Sequence, residues 1–269
     1  MNWVIKRLPV ISFVLFGAFV LVMALRSHSE TTTAIVASSL LMFAACWASA
    51  THLLGARAAA QFVSIALCLG WFAEQMGASR GWFFGEYHYT DVLGWRLGDV
   101  PVIIPMMWFS ICYTGYVIAN LIVWRNAADD SPRLSDALSQ SFLAAMIVTA
   151  FDLGGDPYLV YTLKAWIMVK TDGGWFGETI QGFVGWVVVA FAIIVVFRWS
   201  VRRYPAQRVQ GFSKRHALVP LGMYGALMAF QVVLGNPIET RVIAAFAMGI
   251  PLLCAVAGWR HWGTLEATV

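Results

Sequence analysis

The sequence predicts an all-α fold, a polytopic membrane bundle of about eight transmembrane helices with seven as the lower count. Three observations predict it. First, 60% of the 269 residues are hydrophobic and only 12% are charged, with 13 Trp and 18 Phe; a soluble domain of this length cannot hide that much apolar surface. Second, apolar runs of near-spanning length recur along the whole chain. Third, the basic residues divide unevenly between the loops that alternate spans would leave on opposite faces.

The spans follow in order. Residues 8–25 form the first. Its leader, "MNWVIKRLPVISFVLFGAFVLVMALRSHS", sets Lys6 and Arg7 ahead of an apolar core as a secretory signal does. That core is of spanning length and lacks an A-x-A cleavage pattern, so a retained helix is expected. Residues 34–54 and 58–76 follow, the third span ending "CLGWFAEQMGAS". A loop rich in Gly and aromatics leads into 101–124. The fifth span, 138–154, is the shortest and weakest, and Asp156-Pro157 reads as its terminator, because a residue before proline disfavours helical geometry. Spans 179–197, 217–235 and 242–259 complete the set; "GMYGALMAFQ" in the seventh is a small-residue helix. No linker composition interrupts them, so residues 1–269 read as one integral membrane domain. With both termini cytoplasmic, twelve Lys and Arg from Lys6 to Arg260 face inside against Arg26, Arg80, Arg96, Lys164, Lys170 and Arg241 outside. The run "RWSVRRYPAQRVQGFSKRH" (198–216) reads as an anchor on anionic lipid, not a nucleic-acid site. Cys46, Cys68, Cys112 and Cys254 lack metal-site spacing and read as packing residues.

The third and fifth spans are two crossings apart, so both end at the same membrane face. Glu74 and Asp152 lie at similar depth along them, counted from Ala58 and Leu138. Ser141, Ala145, Thr149 and Asp152 share one stripe of the fifth helix, a small-residue face that turns Asp152 into the bundle. The following loops, 77–100 and 155–178, open on that face and share a phrase, "GWFFGE" and "GWFGE". Their Gly, Pro and aromatic content suits a folded lid. The plainer alternative makes the acids structural partners of Arg80 or Arg96. Asp91 and Asp99 read as solvated or turn-forming.

Several chemistries are excluded. His28, His52, His88, His216 and His261 never fall within a helical turn of one another, unlike the clustered imidazoles of a di-iron oxygenase; each reads as a loop or interface residue. No lysine sits mid-span to form a Schiff base. A membrane prenyltransferase needs two facing Asp-rich motifs for magnesium diphosphate. Here Asp152-x-x-x-Asp156 and the fragment Asn126, Asp129, Asp130 fall on opposite faces. No nucleotide-binding loop occurs, and the sequence calls for no metal and no cofactor.

What fits is acid–base chemistry on an apolar, membrane-dissolved substrate. A carboxyl desolvated among aromatic rings holds its proton at neutral pH and can donate it, while a second carboxylate orients and deprotonates water. Protonating a trisubstituted alkene gives a tertiary cation, which aromatic faces stabilise by about 1–2 kcal/mol each when dry. Trp71, Trp82, Tyr87, Tyr89, Trp166, Trp175 and Trp186 lie near the proposed face.

At these residues the chain resembles the carotenoid-biosynthesis family of membrane hydratases, of the bisanhydrobacterioruberin hydratase and gamma-carotene 1'-hydratase type. The family pattern runs from an acid through G-x-x-FG-x-Y-x-Y-T and LG to VP-x-x-IP and W. It is met by Glu74, Gly81, Phe84, Gly85, Tyr87, Tyr89, Thr90, Leu93, Gly94, Val100, Pro101, Ile104, Pro105 and Trp108. A second block is met by Asp152, Asp156, Pro157, Trp166, Phe176, Gly177, Phe183, Gly185 and Trp186, so the family-like core spans about residues 71–187. Met168, Glu178, Thr179 and Gly182 depart from the pattern, the last two standing where the family has proline and asparagine. The resemblance implies a cofactor-independent lyase that adds water across the terminal 1,2 double bond of an acyclic carotenoid end group. Asp152 would donate the proton, and Glu74 or Asp156 would position and deprotonate water. Tyr87, Tyr89, Trp108, Trp82, Trp166, Trp175, Phe176 and Trp186 would bind the substrate. It also implies a bacterial or archaeal cell membrane, with membrane lipid, the isoprenoid substrate and other carotenoid-pathway enzymes as partners. Two alternatives stay open: a membrane terpene cyclase or isomerase, and a non-catalytic carotenoid- or lipid-binding protein.

Overall fold

The computed structural model describes residues 2–29, 31–128, 133–203 and 214–262. The helices, in chain order, are α1 (Asn2–Arg26), α2 (Thr32–Leu54), α3 (Ala56–Arg80), α4 (Ile103–Trp124), α5 (Leu134–Pro157), α6 (Ile180–Arg203), α7 (Leu218–Leu234), α8 (Glu239–Ala247) and α9 (Gly249–Arg260). Among the described residues they supply eight segments long and apolar enough to cross a membrane, α8 and α9 together forming the last. The break between those two has a local cause. Pro251 has no N–H for the carbonyl of Ala247, so the helical ladder loses a rung there. Large apolar side chains such as Val14, Leu21, Val188 and Leu253 are exposed on the outside of the bundle, where lipid rather than water is the solvent.

Helix α4 is the hub and packs against α2, α3, α5, α6, α7 and α9. Its residues from Trp108 to Leu121 are buried without a gap, which is why this span shows no amphipathic stripe. Between α2 and α3 only Gly55 intervenes, with φ of 89°, a conformation that costs a glycine little.

Five sequence readings change. The fifth span is one of the longest, continuing from Leu134 to Thr162. Its acids lower its hydropathy, but they face the interior, so apolar-run length underestimates it. Asp156-Pro157 does not end it either. The helix continues through Pro157 and then widens into a π turn over Tyr158–Thr162, closed by the Leu163 N–H on the Tyr158 carbonyl at 3.1 Å. The histidines are not all loop or interface residues: His52 is buried, and its ring meets that of His216 edge-on at 4.4 Å. In the basic run, Arg198 is buried against the Tyr116 ring and donates to Asn120 at 2.7 Å; residues 204–213, like Asp129 and Asp130, lie outside the described residues. Cys46 and Cys112 pack inside, whereas Cys68 and Cys254 sit on the outer surface.

The two loops at the shared face fold together. Strand β1 (Tyr87–Tyr89) pairs antiparallel with β4 (Trp166–Met168), setting Tyr89 opposite Trp166 and Tyr87 opposite Met168. Between them, β2 (Arg96–Leu97) and β3 (Val100–Pro101) form a small hairpin. Alternation along β1 buries Tyr87 and Tyr89 and leaves His88 outside. Arg96 bridges Asp91 at 2.8 Å on the exposed side, and Asp99 accepts from Gln75 at 2.6 Å. Neither charge reaches inward to the acids.

Candidate functional site

Under this lid lies a cavity of about 100 Å³. Glu74, Asp152 and Asp156 all line it, together with Phe84, Tyr87, Tyr89, Trp108, Trp166, Trp186 and Glu178. The two helices therefore do bring their acids into one chamber. Ser141, Ala145, Thr149 and Asp152 are all buried, as their shared stripe predicts.

Glu74 is built into position by its own helix. Gly70 and Gly77 flank it at the spacing of one helical face. A Cβ at residue 77 would lie 2.9 Å from the Tyr87 hydroxyl, and one at residue 70 would lie 3.0 Å from the Trp108 side chain. The two glycines thus admit the rings that hold the acid. Tyr87 and Tyr89 donate to Glu74 Oε2 at 2.5 and 2.7 Å, and the Trp108 indole N–H donates to Oε1 at 2.7 Å. Three bonds arriving from neutral donors are the pattern that a carboxylate satisfies best. Burial, and then the Glu74 charge, pushes both tyrosine hydroxyls well above their usual range, so they remain donors.

The rings form a continuous wall. Trp108 and Trp186 centroids are 4.4 Å apart. Phe84 stacks on Trp108 at 6.1 Å, and Tyr89 meets Trp166 edge-on at 5.9 Å. Of the predicted substrate-binding residues, Tyr87, Tyr89, Trp108, Trp166 and Trp186 line the cavity. Trp82, Trp175 and Phe176 do not. Trp82 is 55% exposed. Trp175 has a different task, traceable to Pro157. The missing Pro157 N–H frees the Leu153 carbonyl, and the Trp175 indole N–H donates to it at 3.0 Å. Phe176 contributes its carbonyl, which accepts from the Tyr161 hydroxyl. Both contacts fasten the second loop to the end of the fifth span.

That fastening delivers the residue that sequence reasoning left out of the site. Glu178 is 7% exposed and within hydrogen-bond reach of both Asp152 and Asp156. Asp156 is also within reach of Trp166. Among the described residues, none of these carboxyls is in an ion pair with Arg or Lys, so the structural-pair alternative with Arg80 or Arg96 does not hold. The departure from the family pattern and the shared phrase were the available signals. The phrase was misleading, since its other glutamate, Glu86, is exposed. Thr179, the neighbouring departure, takes the helix-start position of α6 and accepts from the Gly182 N–H at 3.4 Å.

Burial pushes the Glu178 carboxyl up to about 9, with the negative charge of Asp156 adding to the rise. The folded protein therefore binds a proton that the unfolded chain releases above the ordinary carboxylate range. Stability contributed by this proton is lost as pH rises from that range to about 9. One whole proton corresponds to about 1.4 kcal/mol per pH unit at most. Thermal midpoints in detergent across pH 5–9 are expected to fall less steeply for Glu178→Gln than for the wild type; equal slopes would place the proton elsewhere.

The sequence profile described as carotenoid biosynthesis protein matches residues 31–257. The chain belongs to that family. It is 26% identical over 136 residues to bisanhydrobacterioruberin hydratase of Haloarcula japonica, an alignment covering 50% of this chain and 43% of that protein. The match thus spans less than half the length of the curated relative. No solved structure matches the chain significantly. The family resemblance read from Glu74 to Trp186 is accordingly shown, and its matched region extends well beyond that core on both sides.

Proposed function

We propose that this membrane protein hydrates the terminal 1,2 double bond of an acyclic carotenoid end group, giving a tertiary alcohol without a cofactor. One observation carries the reading: a single aromatic chamber holds carboxyls of two kinds. Glu74 is saturated by three donors. Asp152, by contrast, has an oxygen with no donor from the described residues and is within bonding reach of another carboxyl. Two carboxyls bond to each other only through a proton, so this side of the chamber stores protons and the Glu74 side stores negative charge. The relative named as a hydratase supports the choice of water as the added group.

In this mechanism the Asp152 O–H protonates the less substituted alkene carbon. Positive charge develops on the tertiary carbon, between the rings of Trp108, Trp186 and Phe84 and the fixed charge of Glu74. Water adds to that carbon, and Asp156 takes its proton. The polyene leaves the chamber through a second, contiguous cavity of about 70 Å³, which shares Met107, Phe151 and Leu159 with the first and is lined further by Phe19, Met42 and Phe230. Expression in cells that make lycopene or gamma-carotene tests the reading. The expected product is heavier by one water and takes its oxygen from labelled water. A product of unchanged mass would favour cyclisation or isomerisation, and recovery of unmodified bound pigment would favour a binding protein.

A further inference from the structure

Hydration by two different acids leaves them in the wrong states after one turnover. Asp152 has given its proton to carbon, and Asp156 has gained one from water. Neither can repeat its role until that proton crosses between them. Glu178 lines the same cavity as both aspartates and is placed to carry this crossing. It enters the chamber from the second loop, not from the fifth helix, and its carboxyl is within hydrogen-bond reach of both aspartates. Its Oε2, like Asp152 Oδ2, is buried with no hydrogen-bond partner among the described residues, and carboxyls that bond to one another do so only through a proton that one of them carries. Room for it is supplied one turn onward. A Cβ at residue 182 would lie 2.8 Å from Glu178 Oε1 and 3.2 Å from its Cγ, so Gly182 is what lets the carboxyl sit there. The two departures from the family pattern, Glu178 and Gly182, are thus one structural unit.

We infer that Glu178 is a proton bridge that resets the site, accepting the proton gained by Asp156 and returning one to Asp152 after each addition of water. The inference rests on the hydration reading, and its balance closes. One O–H bond of Asp152 breaks as a C–H bond forms. One O–H bond of water breaks as Asp156 is protonated. Glu178 then takes that proton on one oxygen and releases its own from the other to the Asp152 carboxylate. Nothing is oxidised or reduced, and no proton is consumed beyond those delivered with water. Glu178 acts through the aspartates and is a positioning residue for protons, not the group that attacks the alkene.

The consequence is a split between first and later turnovers. In purified full-length protein mixed with substrate in detergent or nanodiscs, Glu178→Gln is expected to form about one product per protein at close to the wild-type rate. Steady-state turnover should then drop by about 10²-fold, within the range a lost proton-transfer group costs. Glu178→Asp should recover part of the steady rate. Gly182→Ala, which keeps the carboxyl but displaces it, should reproduce the burst. An infrared spectrum supplies a readout apart from turnover: the wild type should show deuterium-sensitive protonated-carboxyl absorption from both Asp152 and Glu178, and Glu178→Gln should lose the Glu178 part while the Asp152 part persists. Full steady-state activity of Glu178→Gln would overturn the bridge, as would equal loss of the first and later turnovers in a folded, pigment-binding variant. If the wild type yields no water adduct, the hydration reading fails, and the infrared band then decides alone whether a shared proton exists.

Discussion

Asp152→Asn is expected to lower water addition by about 10²–10⁴-fold, the usual cost of removing a general acid, while leaving folded yield and pigment binding at wild-type levels. The asparagine amide fills the same volume but has no acidic proton to give. Asp152 is 1% exposed, and among the described residues it lacks a cationic partner, so replacing its neutral acid by a neutral amide strands no opposite charge. Activity and stability should therefore separate cleanly. Product mass measured in pigment-producing cells, with absorbance of the co-purified carotenoid as the binding control, reads both at once. A variant that still hydrates at the wild-type rate would move the donor role to another member of the acid cluster. One that loses pigment as well would make Asp152 a binding residue instead.

What could be read from the sequence, and what could not, follows from the range of the forces involved. Span parity and helical stripes are local properties, and they were enough to place Glu74 and Asp152 at one face and turn Asp152 inward. The position of Glu178 depends on a contact that no stripe encodes. Pro157 withholds an N–H, the Leu153 carbonyl becomes available, and Trp175, 22 residues away, fills it. The same proline reads in sequence as a helix terminator, and the structure uses it as a docking point. Tyr87, Tyr89 and Trp108 illustrate the opposite case. Their residue types suggested a pocket wall, and they do line the cavity. Their polar ends, however, point at Glu74, a role visible only once Gly70 and Gly77 are seen to clear the space for them. The lid itself was legible from its Gly and aromatic content. Its pairing of β1 with β4, two loops separated by two helices, was not.

Those three donors also set the largest stability effect expected in the molecule. Glu74→Leu fills the site with apolar volume and leaves the Tyr87 and Tyr89 hydroxyls and the Trp108 N–H with no acceptor in the chamber. Each buried donor so stranded costs about 1–3 kcal/mol. Water entering the cavity can relieve some of this, so a net loss of roughly 3 kcal/mol or more is expected, read as a lowered thermal midpoint in detergent. Glu74→Gln separates charge from bonding. Its amide oxygen can still accept from the tyrosines, but its NH₂ is turned against the Trp108 N–H, so its stability should fall between those of the wild type and the leucine variant. Its hydration rate should drop by at least about 10²-fold, comparable with removing one preorganised group that stabilises charge in the transition state, because a neutral amide gives the tertiary cation no compensating charge. Tyr87→Phe removes only one of the donors and leaves the carboxylate in place, so its rate should suffer far less than that of Glu74→Gln. If Glu74→Gln instead matches the wild type in rate while Tyr87→Phe is inactive, the negative charge has no part in the chemistry and Tyr87, not Glu74, is the group that meets the substrate.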